Sequence, residues 1–239
     1  MKIVDECDEL ANEAAIGDCL NQSRCLSVLK MASGLALRTH FESNGGTPIR
    51  IDLARVISFT LESVIKANSQ SKKHLLFDCP VDTEPSVAIG DYVARFSQMS
   101  PVEDEVLITA IGVMDRFIAY ESPRGFSLAE ANVHRLWAAA FVISQKWLDD
   151  NVLSNGFYAK ISGVKINELN ALERAFLIAV NFSVGVCPEE FELYRSSAVS
   201  LASVLQHFTD LQSFVITAVR ELRCRFVANQ LACALTPIV

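Results

Sequence analysis

The chain has no basic run longer than Lys72-Lys73, no C-x-x-C pair and no apolar stretch approaching the length of a membrane span. Each absence removes a class of function. Phosphate backbones are held by a basic face, and a net charge of −7 with scattered cations argues against nucleic acid as the main partner. Zinc and a disulfide framework are both disfavoured. The seven cysteines (7, 19, 25, 79, 187, 224, 233) are odd in number and widely spaced, and the four histidines stand apart from them. A bilayer helix takes about 20 apolar residues, whereas the longest strongly apolar stretch here runs only from Leu136 to Ile143. Met1-Lys2-Ile3-Val4 passes straight into Asp5-Glu6 with no apolar signal region. These features lead to the expectation of a soluble protein of a reducing compartment, cytoplasmic and/or nuclear, with no membrane and no cofactor.

Signatures of catalysis are missing too. There is no G-x-S-x-G, no H-E-x-x-H, no phosphate-binding loop and no dinucleotide fingerprint. Asp149 and Asp150 are adjacent carboxylates, but neighbours on a helix end point apart. Cys187 has no histidine at any recognised spacing, and His134 is expected to cover a helix rather than react.

What the chain does have is helical period nearly throughout, with 51% hydrophobic residues and almost no alternating runs. Residues 1–40 read as one or two amphipathic helices, and Glu42-Ser-Asn-Gly-Gly-Thr-Pro48 is a break. Helices are then expected from Ile51 to Lys66 and from Ile89 to Met99, separated by a linker at 72–86. Ser100, Pro101 and Glu103 read as N-cap, first turn and capping box of a helix reaching about Tyr120. Ser127 and Glu130 read as a second capping box. The helix it opens is apolar on all sides from Leu136 to Ile143 and must be surrounded by others. Further helices are expected at Asn155 to Lys160, at Ile166 to Asn181 and from Pro188, with two filling the remainder to about Val227. The fold class is all-α.

Charged residues recur within these apolar helices. Arg95, between Tyr92 and Phe96, and Asp115, between Ile111 and Ile118, border apolar stripes, and the expectation is that they pair as a clamp between adjacent helices. Lys146 stands where the central helix leaves the core, and Glu173 lies between Leu172 and Phe176 on a later helix. Taken alone, these two fit ordinary solvated charges, or anchors at one rim for a partner's backbone groups.

Four landmarks stand in order: D-Y-V-A-R-F at 91–96, M-D-R-F at 114–117, Q-K-W-L-D-D at 145–150 and E-L-N-A-L-E at 168–173. Together with N-G-F-Y-A-K-I-S-G-V at 155–164 and N-F-S-V-G-V-C-P-E-E-F-E-L-Y at 181–194, this region resembles the cyclin box. The closer likeness is to the phosphate-pathway (P-type, or P/U-type) cyclins. The resemblance implies a single five-helix cyclin box with flanking helices: an N-terminal extension at 1–50, the box with its preceding helix at 51–195 and a short helical region at 196–239. It implies a cyclin-dependent protein kinase as partner, with Lys146 and Glu173 contacting that kinase beside its mobile C-helix. Arg95, Asp115 and Leu136 match positions that hold the box together. The chain would then be a non-enzymatic activating subunit in cell-cycle or nutrient control, selecting the kinase's active state.

Some positions depart from that pattern. Ala94 precedes Arg95 and Phe96-Ser97-Gln98 follows it, unlike the substrate-docking patch of mitotic cyclins. Ala88 and Lys165 stand where relatives have hydroxyl N-caps, and Trp147 replaces the usual phenylalanine. Only about 45 residues follow Tyr194, too few for a second box. Two other readings stay open: a cyclin-fold adaptor in a transcription or other regulatory assembly, and an enzyme built on a helical bundle.

Overall fold

The structure, a computed structural model, describes residues 52–68, 74, 76–79, 86–100, 103–150 and 152–207. Seven α-helices run through these residues: α1 Leu53–Ala67, α2 Ile89–Met99, α3 Asp104–Glu121, α4 Glu130–Leu148, α5 Asn155–Ser162, α6 Ile166–Ala179 and α7 Pro188–His207. No strand occurs among the described residues. The helices expected in residues 1–40 and those beyond 207 lie outside them, as does the break at 42–48.

The all-round apolar stretch of α4 makes it the centre of the bundle, packed against α2, α3, α5 and α6. Its residues 136–142 are completely buried, Leu136 among them. The three alanines at 138–140 keep the neighbouring backbones close, and Phe96 of α2 meets Phe141 edge-on at 4.8 Å. α1 and α7 flank this core, each packing on α3 and on each other.

Three helices are capped in ways the sequence did not suggest. α3 begins at Asp104 with Glu103 as its N-cap, and Ser100 instead caps the C-terminus of α2. The Ser100 hydroxyl donates to Gln145 Oε1 at 3.1 Å, so this buried side chain ties α2 to α4. Pro101 lies outside the described residues. α4 begins at Glu130, with Ala129 as N-cap, and Asn132 Oδ1 accepts the Ala129 N–H at 2.9 Å. That is half of a capping box, placed two residues later than Ser127 suggested. α5 carries a cap the sequence reading passed over: Ser154 Oγ accepts the Phe157 N–H at 3.3 Å. By contrast Ala88 and Lys165 cap α2 and α6 without any side-chain hydrogen bond, as expected.

The linker does more than connect. Phe77 is completely buried, 4.9 Å from the ring of Phe117, which stacks on Phe176 at 4.7 Å. Arg135 of α4 donates to the carbonyls of Leu76 and Asp78 and pairs with Glu168 of α6, pinning the segment over the core.

His134 is buried between α4 and α2, its ring 4.7 Å from that of Tyr92. Nε2 lies 2.8 Å from the Val87 carbonyl and so carries the proton, while the buried Nδ1 has no partner among the described residues. Charging the ring would place a second proton where nothing accepts it. Burial lowers the His134 pKa; the Val87 bond opposes that shift and the nearby Arg95 adds to it. A lowered folded-state pKa means the unfolded chain binds more protons, so stability is full above about pH 6.5 and falls as the pH drops below it. Urea midpoints at pH 7.5 and 5.5 should therefore differ more in the wild type than in His134→Gln, whose amide can donate to the same carbonyl without titrating.

Candidate functional site

The C-terminal end of α4 and the middle of α6 meet at one rim of the bundle. There Lys146 Nζ lies 2.6 Å from Glu173 Oε1, with the two side chains 29% and 16% exposed. Asn155, at the start of α5, donates to Glu173 Oε2 at 3.1 Å and to Asn170 Oδ1 at 2.6 Å. Both Glu173 oxygens are thus held and their orientation is set. Lys146 spends one of its three donors on Glu173 and keeps two, and each carboxylate oxygen keeps a lone pair. The pair can therefore offer donors and acceptors outward without being broken.

The elements that carry this pair also expose an apolar margin. Trp147 is 58% exposed, Ile178 61% and Phe182 66%, with Leu148 and Val152 also exposed. Exposed large apolar side chains of this kind contrast with the completely buried centre of α4. Trp147 rests against Gly185, where an added Cβ would lie 3.4 Å from the indole Cζ2.

Phe182 owes its position to the way α6 ends. The Asn181 N–H donates to the Ile178 carbonyl at 3.1 Å and the Phe182 N–H to the Leu177 carbonyl at 2.8 Å. This is a Schellman ending with asparagine in the left-handed position, φ 48°. Phe182 follows with φ 57°, a conformation that costs an aromatic residue roughly 1–2 kcal/mol. The loop is held from α3: Arg116 donates at 2.8 Å to the carbonyls of both Ser183 and Gly185 and pairs with Glu190 of α7 at 2.8 Å. Burial pushes the Glu190 carboxyl up even with that guanidinium beside it.

The expected Arg95–Asp115 pair is replaced by two separate contacts. Arg95 donates to the Ile161 carbonyl at 3.2 Å and lies over the Tyr92 ring, 5.5 Å from its centroid. Tyr92 itself donates to the Ser162 carbonyl at 3.0 Å, so α2 grips the C-terminal carbonyls of α5, where a cation suits the helix dipole. Asp115, 2% exposed, accepts the Tyr194 hydroxyl at 2.9 Å and joins α3 to α7. The physical reason is placement: α2 packs chiefly on α1, α4 and α5, while α3 faces α4 and α7.

No helix among the described residues is long and apolar enough to cross a membrane, and no group of three or more His, Cys, Asp and Glu there could hold a metal. The fold is a helical bundle whose rim carries the Lys146–Glu173 pair and exposed apolar side chains. The cyclin family profile matches residues 27–184, and the chain belongs to that family. Its relatives include plant cyclins of the U and P types and a yeast PHO85 cyclin. It is 34% identical to Cyclin-U4-2 of Arabidopsis thaliana over 48% of this chain and 52% of that protein. Identity to Cyclin-U2-1 of the same plant is 28% over 72% of this chain and 78% of the relative. PHO85 cyclin-7 of Saccharomyces cerevisiae shares 31% over 47% of this chain and 42% of its own length.

Proposed function

We propose that this chain is the activating subunit of a cyclin-dependent protein kinase and docks through the Lys146–Glu173 rim. The observation that carries this reading is the pre-joined charge pair on α4 and α6, helices that also expose Trp147 and Ile178, with the exposed Phe182 beside Glu173. Membership of the cyclin family and the name of the yeast relative, PHO85 cyclin-7, support a kinase as the occupant. Lys146 would donate to backbone carbonyls, and Glu173 would accept N–H groups, at the kinase C-helix. The apolar margin would exclude water around those bonds. A surface this rigid favours the one orientation of the C-helix in which its glutamate pairs with the ATP-site lysine, a population shift. Phosphoryl transfer itself belongs to the kinase, and this chain contributes no reacting group.

Co-expression with each of a panel of cyclin-dependent kinases, followed by capture and a histone-kinase assay, tests the reading. A stable, active complex with at least one kinase is expected. A folded wild type that captures none would move the assignment to the adaptor.

Phe182→Gly separates docking from folding. Glycine relieves the left-handed strain, and its own flexibility costs about 0.5–1 kcal/mol, so the two terms largely cancel. The expected result is a thermal midpoint within about 4 °C of wild type. Kinase affinity should fall at least about tenfold, as for removal of an aromatic anchor.

A further inference from the structure

We infer that Arg174 is a specificity determinant that recognises a carboxylate on the partner's docking helix, an inference that rests on the kinase-binding reading. Arg174 is exposed on α6 and lines, with Asn170, Glu173, Leu177 and Phe182, an open depression of about 340 Å³. Its guanidinium makes no hydrogen bond or ion pair among the described residues. Glu173 beside it does not neutralise it, because Lys146 and Asn155 hold the two Glu173 oxygens. Asn170 is likewise engaged through its Oδ1 by Asn155. Lys146 and Glu173 thus balance each other's charge, and Arg174 brings to the depression a positive charge with no counter-ion among the described residues.

The apolar part of the lining is Leu177, one turn along α6 from Arg174, and Phe182 in the turn after α6. A planar fork of five donors beside an apolar wall matches a carboxylate next to an apolar side chain. On a docked helix those two groups lie on one face when they are three or four residues apart. Such a helix presents Asp or Glu to Arg174 and an aliphatic or aromatic residue to Phe182. Partners with Lys, Arg or a small neutral residue at that place are disfavoured, because like charges at a forming interface repel.

The test uses the full chain and the purified kinase that it captures. Affinity is measured for wild type, Arg174→Lys and Arg174→Glu, with thermal midpoints as a check on folding. Arg174→Glu should keep its midpoint and bind at least about tenfold more weakly, and Arg174→Lys should fall between the two. Replacing the facing acidic residue of the kinase docking helix with Arg should restore binding to Arg174→Glu alone. Wild-type affinity in Arg174→Glu would overturn this inference and leave the docking reading standing, as would loss of affinity that no acidic-to-Arg change in the kinase helix reverses. Failure of the wild type to bind any kinase would overturn both.

Discussion

Replacing Lys146 and Glu173 together with alanine is expected to abolish working affinity for the kinase and leave the fold intact. The stability side follows from geometry. Both groups are partly solvated, and pairs of that kind contribute about 0–1 kcal/mol. Removing both leaves no orphaned charge at the rim; only Asn155 loses an acceptor, and it keeps Asn170. The binding side is different, because docking would desolvate whatever remains there. Truncating hydrogen-bonded charges at a protein interface costs about 2–5 kcal/mol, so affinity should fall by roughly thirtyfold or more. Calorimetric titration beside thermal melts checks both halves. The single variants should be less stable than the double variant, since each leaves one partly buried charge without its counter-ion.

Asp115→Ala should give the opposite pattern: a large loss of stability with the rim chemically unchanged. The carboxylate is buried between α3 and α7 and accepts the Tyr194 hydroxyl, itself buried. Truncation withdraws that acceptor from a buried donor and leaves a space behind it, together costing about 3 kcal/mol. For a domain of this size that lowers the thermal midpoint by roughly 6–12 °C. Tyr194→Phe removes only the donor and should cost less. An unchanged midpoint in Asp115→Ala would mean that the α3–α7 junction does not depend on this carboxylate. At a temperature where the variant is folded, its kinase affinity should match that of the wild type.

Helix α2 was legible to the residue, because Ile89, Tyr92, Val93 and Phe96 give an unambiguous stripe between turn-forming segments. So was the central position of α4, since a helix with no polar face has only one place to go. Neighbour identity was less accessible. Bordering a stripe places Arg95 and Asp115 near an interface but does not say which helix lies across it. Arg95 turned out to face the end of α5 and Asp115 to face α7. Ser100 shows a local signal overruled by tertiary contact: its hydroxyl serves Gln145 of another helix instead of a backbone N–H of its own.

The meeting of Lys146 with Glu173 at a single rim was one of two readings the sequence left open, whereas the bracing by Asn155 was not among them, because it depends on where a separate short helix enters. Asn181 carried a readable sign of the end of α6, an asparagine fit for the left-handed position. Phe182 carried none, since nothing in the residue type announces φ 57°. Phe77, lying between a basic stretch and Pro80, read as linker and is core.

Amide hydrogen exchange on the complex of this chain with its kinase tests the central claim most directly. The account predicts slowed exchange on binding at 146–150 and 173–184, with the outer surfaces of α1 and α7 exchanging as in the free chain. Protection confined to α1 or α7, with 146–150 and 173–184 exchanging as before, would contradict it.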